Sequence, residues 1–192
     1  LSYMDPRLKG ISFEVACDVD NPLVGPQGAS AIFASQKGAN SEMIDQLEII
    51  LNHYSSVISR KFNNDESLYP GAGAAGGMGY SFKAFLNAEL KSGIKIILDK
   101  IDFNQHLLNA DLVLTGEGKI DSQSDRGKAP IGVIEYAKRH KCRIFIIAGT
   151  LENSETLISK YGIDKAFSVV SSELSIEEAI ASPFESLMAI SR

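Results

Sequence analysis

The second half of this chain switches repeatedly between two apolar periods, and that alternation narrows the folds open to it. "ADLVLTG" reads as a strand, residues 129–140 as a helix and "CRIFIIAGT" as a strand. A helix over 154–161, a strand "KAFSVV" and helical "SIEEAI" and "FESLMAI" follow. Continuous apolar runs such as Phe145-Ile146-Ile147-Ala148 suit strands covered on both faces, as parallel sheets require. The pattern predicts an open α/β sheet with parallel strands from about residue 109 onward.

The preceding residues lack this alternation. Over 40–62, Met43, Leu47, Ile50, Leu51, Tyr54, Val57 and Ile58 recur at spacings of three and four, behind Asn40 and Ser41 as capping residues, which predicts a helix with one buried face. A second helical pattern (Met78, Phe82, Phe85, Leu86, Leu90) begins where a glycine cluster ends. Turn-rich "DVDNPLVGPQGAS" follows the strand-like "FEVAC". The chain thus divides into a turn-rich lobe, 1–108, and an α/β lobe, 109–192.

Its 192 residues suit one large domain or two unequal lobes, and a hydrophobic fraction of 44% is enough for a core. A formal charge of -5 with 19 Lys+Arg argues against nucleic acid as a partner, because non-specific binding needs a dense cationic face. No apolar run approaches the roughly 18 residues that cross a bilayer. No charged stretch followed by an apolar one opens the chain, so a cytoplasmic protein without a membrane partner is expected. Cys17 and Cys142 lie in apolar strand-like runs and suggest neither a disulfide framework nor a metal site. His53, His106 and His140 are scattered without metal-ligand spacing and read as structural or surface residues.

Three stretches could carry chemistry. In "YPGAGAAGGMGY", Gly71, Gly73 and Gly76, with Gly77 next to them, have the glycine spacing of a dinucleotide-binding fingerprint, but the approach "FNNDESLYP" is polar and ends in proline where that fingerprint needs a strand. The lysine and hydroxyl of a P-loop are absent too. Two readings stay open: glycines that bring backbone and a helix end close to a phosphate, or a tight turn packed by glycine. In "TGEGKIDSQSDRGK" (115–128), Gly116 and Gly118 would give backbone access. Glu117 and Asp121 would serve as Mg²⁺ ligand or base, Ser122 and Ser124 as donors, and Lys128 as a phosphate contact. This stretch follows a strand, where open α/β sheets bind ligands, though a solvated polar loop has the same composition. Asp18 and Asp20 in "DVDNP" could hold a metal or orient a hydroxyl, and equally could be turn chemistry before Pro22.

Taken in order, "ACDVDNPLVGPQGAS", "QKGA" (36–39), "YPGAGAAGGMGY", "LTGEGKIDSQS" and "GKAPIGV" (127–133) resemble the bacterial glycerate kinase family of glyoxylate and galactarate catabolism. The resemblance covers nearly the whole chain. It implies a Rossmann-like parallel-sheet lobe, incomplete here, plus part of a second mixed α/β lobe. It further implies a transferase that uses ATP and Mg²⁺ to phosphorylate D-glycerate, usually to 2-phosphoglycerate, in a cleft between lobes. The family's Asp-Ser-Phe-Lys-Gly and Asp-Gly-Gly-Glu-Gly motifs are absent, so the chain resembles a carboxy-terminal portion, expected to be inactive alone and to need the missing segment or self-association. Asp121 and Glu117 are then the metal or base candidates, Lys128 a phosphate contact, and Asp18 and Asp20 substrate-side carboxylates. The glycine run would line the cleft. A non-catalytic module binding nucleotide or hydroxy acid, and a kinase of another 2-hydroxy acid, are the alternatives.

Overall fold

The computed structural model describes residues 4–120 and 129–190. It separates into two units, Leu1–Ile96 and Ile97–Arg192. In the first, β1 (Glu14–Ala16) pairs in parallel with β2 (Glu89–Lys91), Glu14 facing Glu89 across the register. Like charges placed opposite one another would weaken the pair. Lys91 answers both, its Nζ lying 2.7 Å from Glu14 and 2.9 Å from Glu89, and these contacts raise its own pKa.

Three α-helices lie wholly within this unit among the described residues: α1 (Ala29–Phe33), α2 (Ser41–Phe62) and α3 (Met78–Leu86). The Asn40 side chain caps α2 by accepting the Met43 N–H at 2.9 Å, and Asn63 ends it in the left-handed region. Leu23, Ala72 and Tyr80 are fully buried, with Val24 and Ile58 beside them. The Tyr80 ring meets Tyr54 edge-on at 5.6 Å, and its hydroxyl donates to the Ser55 carbonyl. Burial pushes the Tyr80 phenol above its usual pKa. The apolar stripe expected along α2 is only partly covered. Leu51, Tyr54 and Ile58 turn toward Tyr80, whereas Met43, Ile50 and Val57 stay exposed. The stripe is wider than the core it meets.

Between α2 and α3, the glycine run closes onto the chain after β1. The Gly73 N–H donates to the Asn21 carbonyl at 2.9 Å. A Cβ on Gly73 would collide with the Pro22 carbonyl oxygen, and one on Gly79 with the Gly71 carbonyl oxygen. Gly71 (φ 88°) and Gly77 (φ 108°) add left-handed turns that other residues adopt only with strain. The run is therefore a packed turn over most of its length. The helical pattern read through Leu90 instead stops at Leu86, where Asn87 turns left-handed and frees 89–91 to pair with β1. Gly93, taking an N–H bond to Asp18 Oδ1 at 2.8 Å, opens α4 (Gly93–Lys100), within which the two units divide.

After α5 (Phe103–Leu107), the second unit alternates as its sequence predicts: β3 (Leu112–Ile120), α6 (Ala129–Arg139), β4 (Arg143–Leu151), α7 (Ser154–Tyr161), β5 (Lys165–Ser168), α8 (Ile176–Ala181) and α9 (Pro183–Ile190). The sheet runs β3-β4-β5 and is parallel throughout. Ile144, Ile146 and Ala148 are buried on one face, with Ile131, Ile134 and Ala137 of α6 also inaccessible. On the opposite side Phe145 meets Phe167 edge-on at 6.0 Å, while Leu114 is 60% exposed. The fold is a mixed α/β architecture with parallel sheets, as expected.

One boundary differs from the sequence reading. "TGEGKI" is strand, paired with β4 from Thr115↔Ile146 to Ile120↔Leu151. Its glycines suggest a loop, but the sheet demands one of them: a Cβ on Gly116 would strike the Ile147 carbonyl oxygen. Gly118 faces open space.

Gly116→Ala should therefore cost about 1–3 kcal/mol through overpacking, whereas Gly118→Ala should stay within about 0.5 kcal/mol, measured by urea unfolding of both variants. Tyr136, 4% exposed on α6, donates its hydroxyl to Asp99 of α4. Tyr136→Phe removes one hydrogen bond to an acceptor that water can still reach, for a loss of about 1 kcal/mol in the same measurement.

Candidate functional site

In the first unit, three separated stretches converge on one cavity of about 430 Å³. Val19, Ala29 and Ser30 come from the segment after β1 and from α1, Gln36, Lys37 and Ala39 from the turn beyond it, and Ala75 and Gly76 from the glycine run. Leu47 and Leu51 of α2 supply another wall. The turn at 23–28 is held from both sides. Gly25 N–H donates to Glu48 Oε1 at 2.6 Å, and Asn21 Nδ2 donates to the Gln27 carbonyl at 2.9 Å. This positions Ser30, which is 3% exposed and whose Oγ has no hydrogen-bond partner.

The four glycines singled out in the run do different work. Gly71, Gly73 and Gly77 are buried, while Gly76 is exposed at the cavity with φ 71°. Beside it, Ala75 holds φ 49° and ψ 40°, a left-handed conformation that costs an L-residue roughly 1–2 kcal/mol. Helix α3 begins immediately after, yet the Tyr80 N–H is already bonded to Ala72 O and the Ser81 N–H to Gly77 O. Between Gly71 and Gly77, what reaches solvent most is the tip, Ala75-Gly76.

Asp18 and Asp20 are both exposed just after β1. Asp18 commits one carboxylate oxygen to the first N–H of α4.

In the second unit, a cavity of about 560 Å³ lies at the carboxyl-terminal ends of the strands. Glu117, Gly118, Gly149, Thr150, Val170 and Ile180 are among its lining residues. Glu117 is exposed on β3 and its Oε1 accepts the Gly118 N–H at 3.2 Å. Gly116 and Gly118 sit in the strand on either side of it, also exposed. Asp121, Ser122 and Lys128 lie outside the described residues.

Among the described residues, no group of three or more His, Cys, Asp or Glu could enclose a metal ion. Kinase-type Mg²⁺ is held largely by substrate phosphates and water, with one or two protein carboxylates, and Glu117 fits that modest requirement. No helix among the described residues is long and apolar enough to cross a membrane.

Sequence reasoning found the cavity-forming motifs but missed Ser30, Phe33, Leu47 and Ala75 as its walls. None of the four had a local signal: Ala72 and Ala74 are alanines of the same run, and the left-handed backbone of Ala75 is visible only in the structure.

The family model described as "Glycerate kinase family" matches residues 1–192. A curated relative, glycerate 2-kinase of Escherichia coli (strain K12), is 47% identical over 192 residues, covering 100% of this chain and 50% of the relative. Glycerate kinase of Bacillus subtilis (strain 168) is 44% identical over 179 residues, 93% of this chain and 47% of that protein. A crystal structure from Salmonella typhimurium LT2, of a protein assigned as glycerate kinase 2, aligns with a TM-score of 0.73 at 44% identity, over 93% of this chain and 46% of that one. The chain spans about half the length of the curated relatives it matches. With a family match running its full length, the chain belongs to the glycerate kinase family.

Proposed function

We propose that this chain carries part of the machinery for ATP-dependent phosphorylation of D-glycerate to 2-phosphoglycerate, and that the order of its motifs makes it the carboxy-terminal portion of such a kinase. One observation supports this most: the neighbouring stretches "DVDNPLVGPQGAS" and "QKGA" meet the glycine run, which lies beyond the whole of α2 in sequence, around a single cavity. Phosphoryl transfer asks the protein mainly for positioning and charge neutralisation. Glu117, on a strand end, is our candidate for a Mg²⁺ ligand or for the base that takes the substrate hydroxyl proton. Asp121, four residues on, shares that candidacy, with Ser122 and Lys128 as contacts for the phosphoryl group being transferred. Asp20 and the remaining oxygen of Asp18 are candidates for orienting the acid's hydroxyls. Gly76 and Gly118, with open space where a side chain would sit, leave room for a ligand to approach closely.

A second reading is that the chain binds its ligands without turning them over. Its span of half the relatives' length favours this reading for the chain by itself.

The decisive protein is a chimera in which this chain replaces the matching half of the Escherichia coli relative. It should convert D-glycerate and ATP to a phosphoglycerate and prefer D-glycerate in a panel of 2-hydroxy acids. A chimera that melts cooperatively yet leaves D-glycerate unphosphorylated contradicts the proposal. Within it, Glu117→Gln should lower kcat by about 10²-fold or more if the carboxylate acts as a base. Near-normal turnover would remove Glu117 from the mechanism.

A further inference from the structure

The cavity in the first unit has a chemistry that selects among the ligands of such a reaction. Its walls are the side chains of Phe33, Leu47 and Leu51 with several alanines, and its polar lining is confined to Ser30, Gln36 and Lys37. D-Glycerate carries a hydroxyl or carboxylate on each of its three carbons. Against such walls most of those groups would be left unpaired. A volume of about 430 Å³ also exceeds what so small an acid fills. A nucleoside is different: the faces of its base are apolar, its edges take a few directed hydrogen bonds, and clefts of this size and lining commonly hold such ligands.

The polar groups are arranged to suit it. Gln36 and Lys37 stand exposed on the turn Ser35–Lys37, and neither side chain makes a hydrogen bond or ion pair among the described residues. An amide offers both donor and acceptor to a base edge, and an ammonium offers positive charge to phosphate. Ser30 contributes the independent sign of a missing partner. Buried hydroxyls are nearly always paired, yet this one, at a cavity wall, is not. Ala75 adds a second sign, since a glycine there would relax the left-handed backbone, whereas alanine keeps a methyl group on the wall.

The cavity of the second unit offers a contrast. It occupies the strand ends where open α/β sheets often bind nucleotides, but its charged lining among the described residues is the carboxylate of Glu117, with no lysine or arginine.

We propose that the first unit's cavity receives the nucleoside of the phosphate donor, its base against Phe33, Leu47 and Leu51 and its phosphates toward Lys37. This rests on the phosphotransferase reading and adds which unit binds the donor.

Methyl-detected NMR of this 192-residue chain, titrated with ADP, tests it. The methyls of Ala34, Leu47, Leu51 and Ala75 should shift. Ser30→Ala and Lys37→Ala should each weaken ADP about tenfold, the loss expected for one hydrogen bond or charge contact to the ligand. Lys37→Ala should leave adenosine affinity nearly unchanged. Ser30→Ala should not lower the melting temperature, because it removes a hydroxyl that has no partner in the free protein; a purely structural serine would show the reverse pattern. Shifts at Ile147, Val170 and Ile180 instead would move the donor to the second unit, overturning this inference while leaving the kinase reading intact. D-Glycerate shifting the first-unit methyls when ADP does not would overturn it as well. No shift at any methyl with millimolar ADP would overturn this inference too, while turnover by the chimera separately decides the kinase reading.

Discussion

Everything in the first unit leans on two backbones that touch. Gly73 lies against the Asn21 and Pro22 carbonyls, and Gly79 against the carbonyl of Gly71, at separations that leave no room for a Cβ. The contact is not merely steric, for it carries the Gly73 N–H bond to Asn21 O, and the Leu23 N–H reaches Ser67 O nearby. Because the turn closes this tightly, Ala72 and Tyr80 arrive beside Leu23, and α2 finds a core to pack Leu51 and Ile58 against. The same closure leaves Ala75 and Gly76 as an outward tip facing α1 and the Ser35–Lys37 turn. The cavity follows from the packing.

The second unit obeys a different constraint, the pairing of parallel strands. Thr115 to Ile120 run in register with β4, and Gly116 is what lets the Ile147 carbonyl approach. The extension of β3 carries Glu117 and Gly118 to the cavity at the strand ends. A side chain on a strand is aimed more reproducibly than one on a loop, which suits a carboxylate that must meet a metal ion or a reacting hydroxyl.

The α/β alternation was legible because long, continuous apolar strands and periodic helices leave strong local signals; α7, read over 154–161, ends where it was expected. Short elements were not. β2 is three residues long and sits where an apolar helical period seemed to continue to Leu90, and what ended that period, Asn87 turning left-handed, is visible only in the fold. The strand character of "TGEGKI" was hidden for the opposite reason: glycine lowers strand propensity locally, but here the neighbouring strand's backbone requires it. The candidate site was half legible. Motif order pointed to the stretches that converge, while the apolar walls from α1 and α2 and the unpartnered Ser30 hydroxyl are products of tertiary packing that no spacing rule encodes. The wide apolar stripe of α2 misled in a useful way, since Leu47, which the core does not cover, lines the cavity.

Native-state hydrogen exchange at the amides of Gly73, Leu23 and Tyr80 distinguishes a packed glycine turn from a loose loop. Their acceptors are Asn21 O, Ser67 O and Ala72 O. If the backbone contact organises the unit, the three amides open together and are as protected as the buried core around Tyr80. Rapid exchange at Gly73 and Tyr80, as for an open loop, beside a protected α2 would contradict the account.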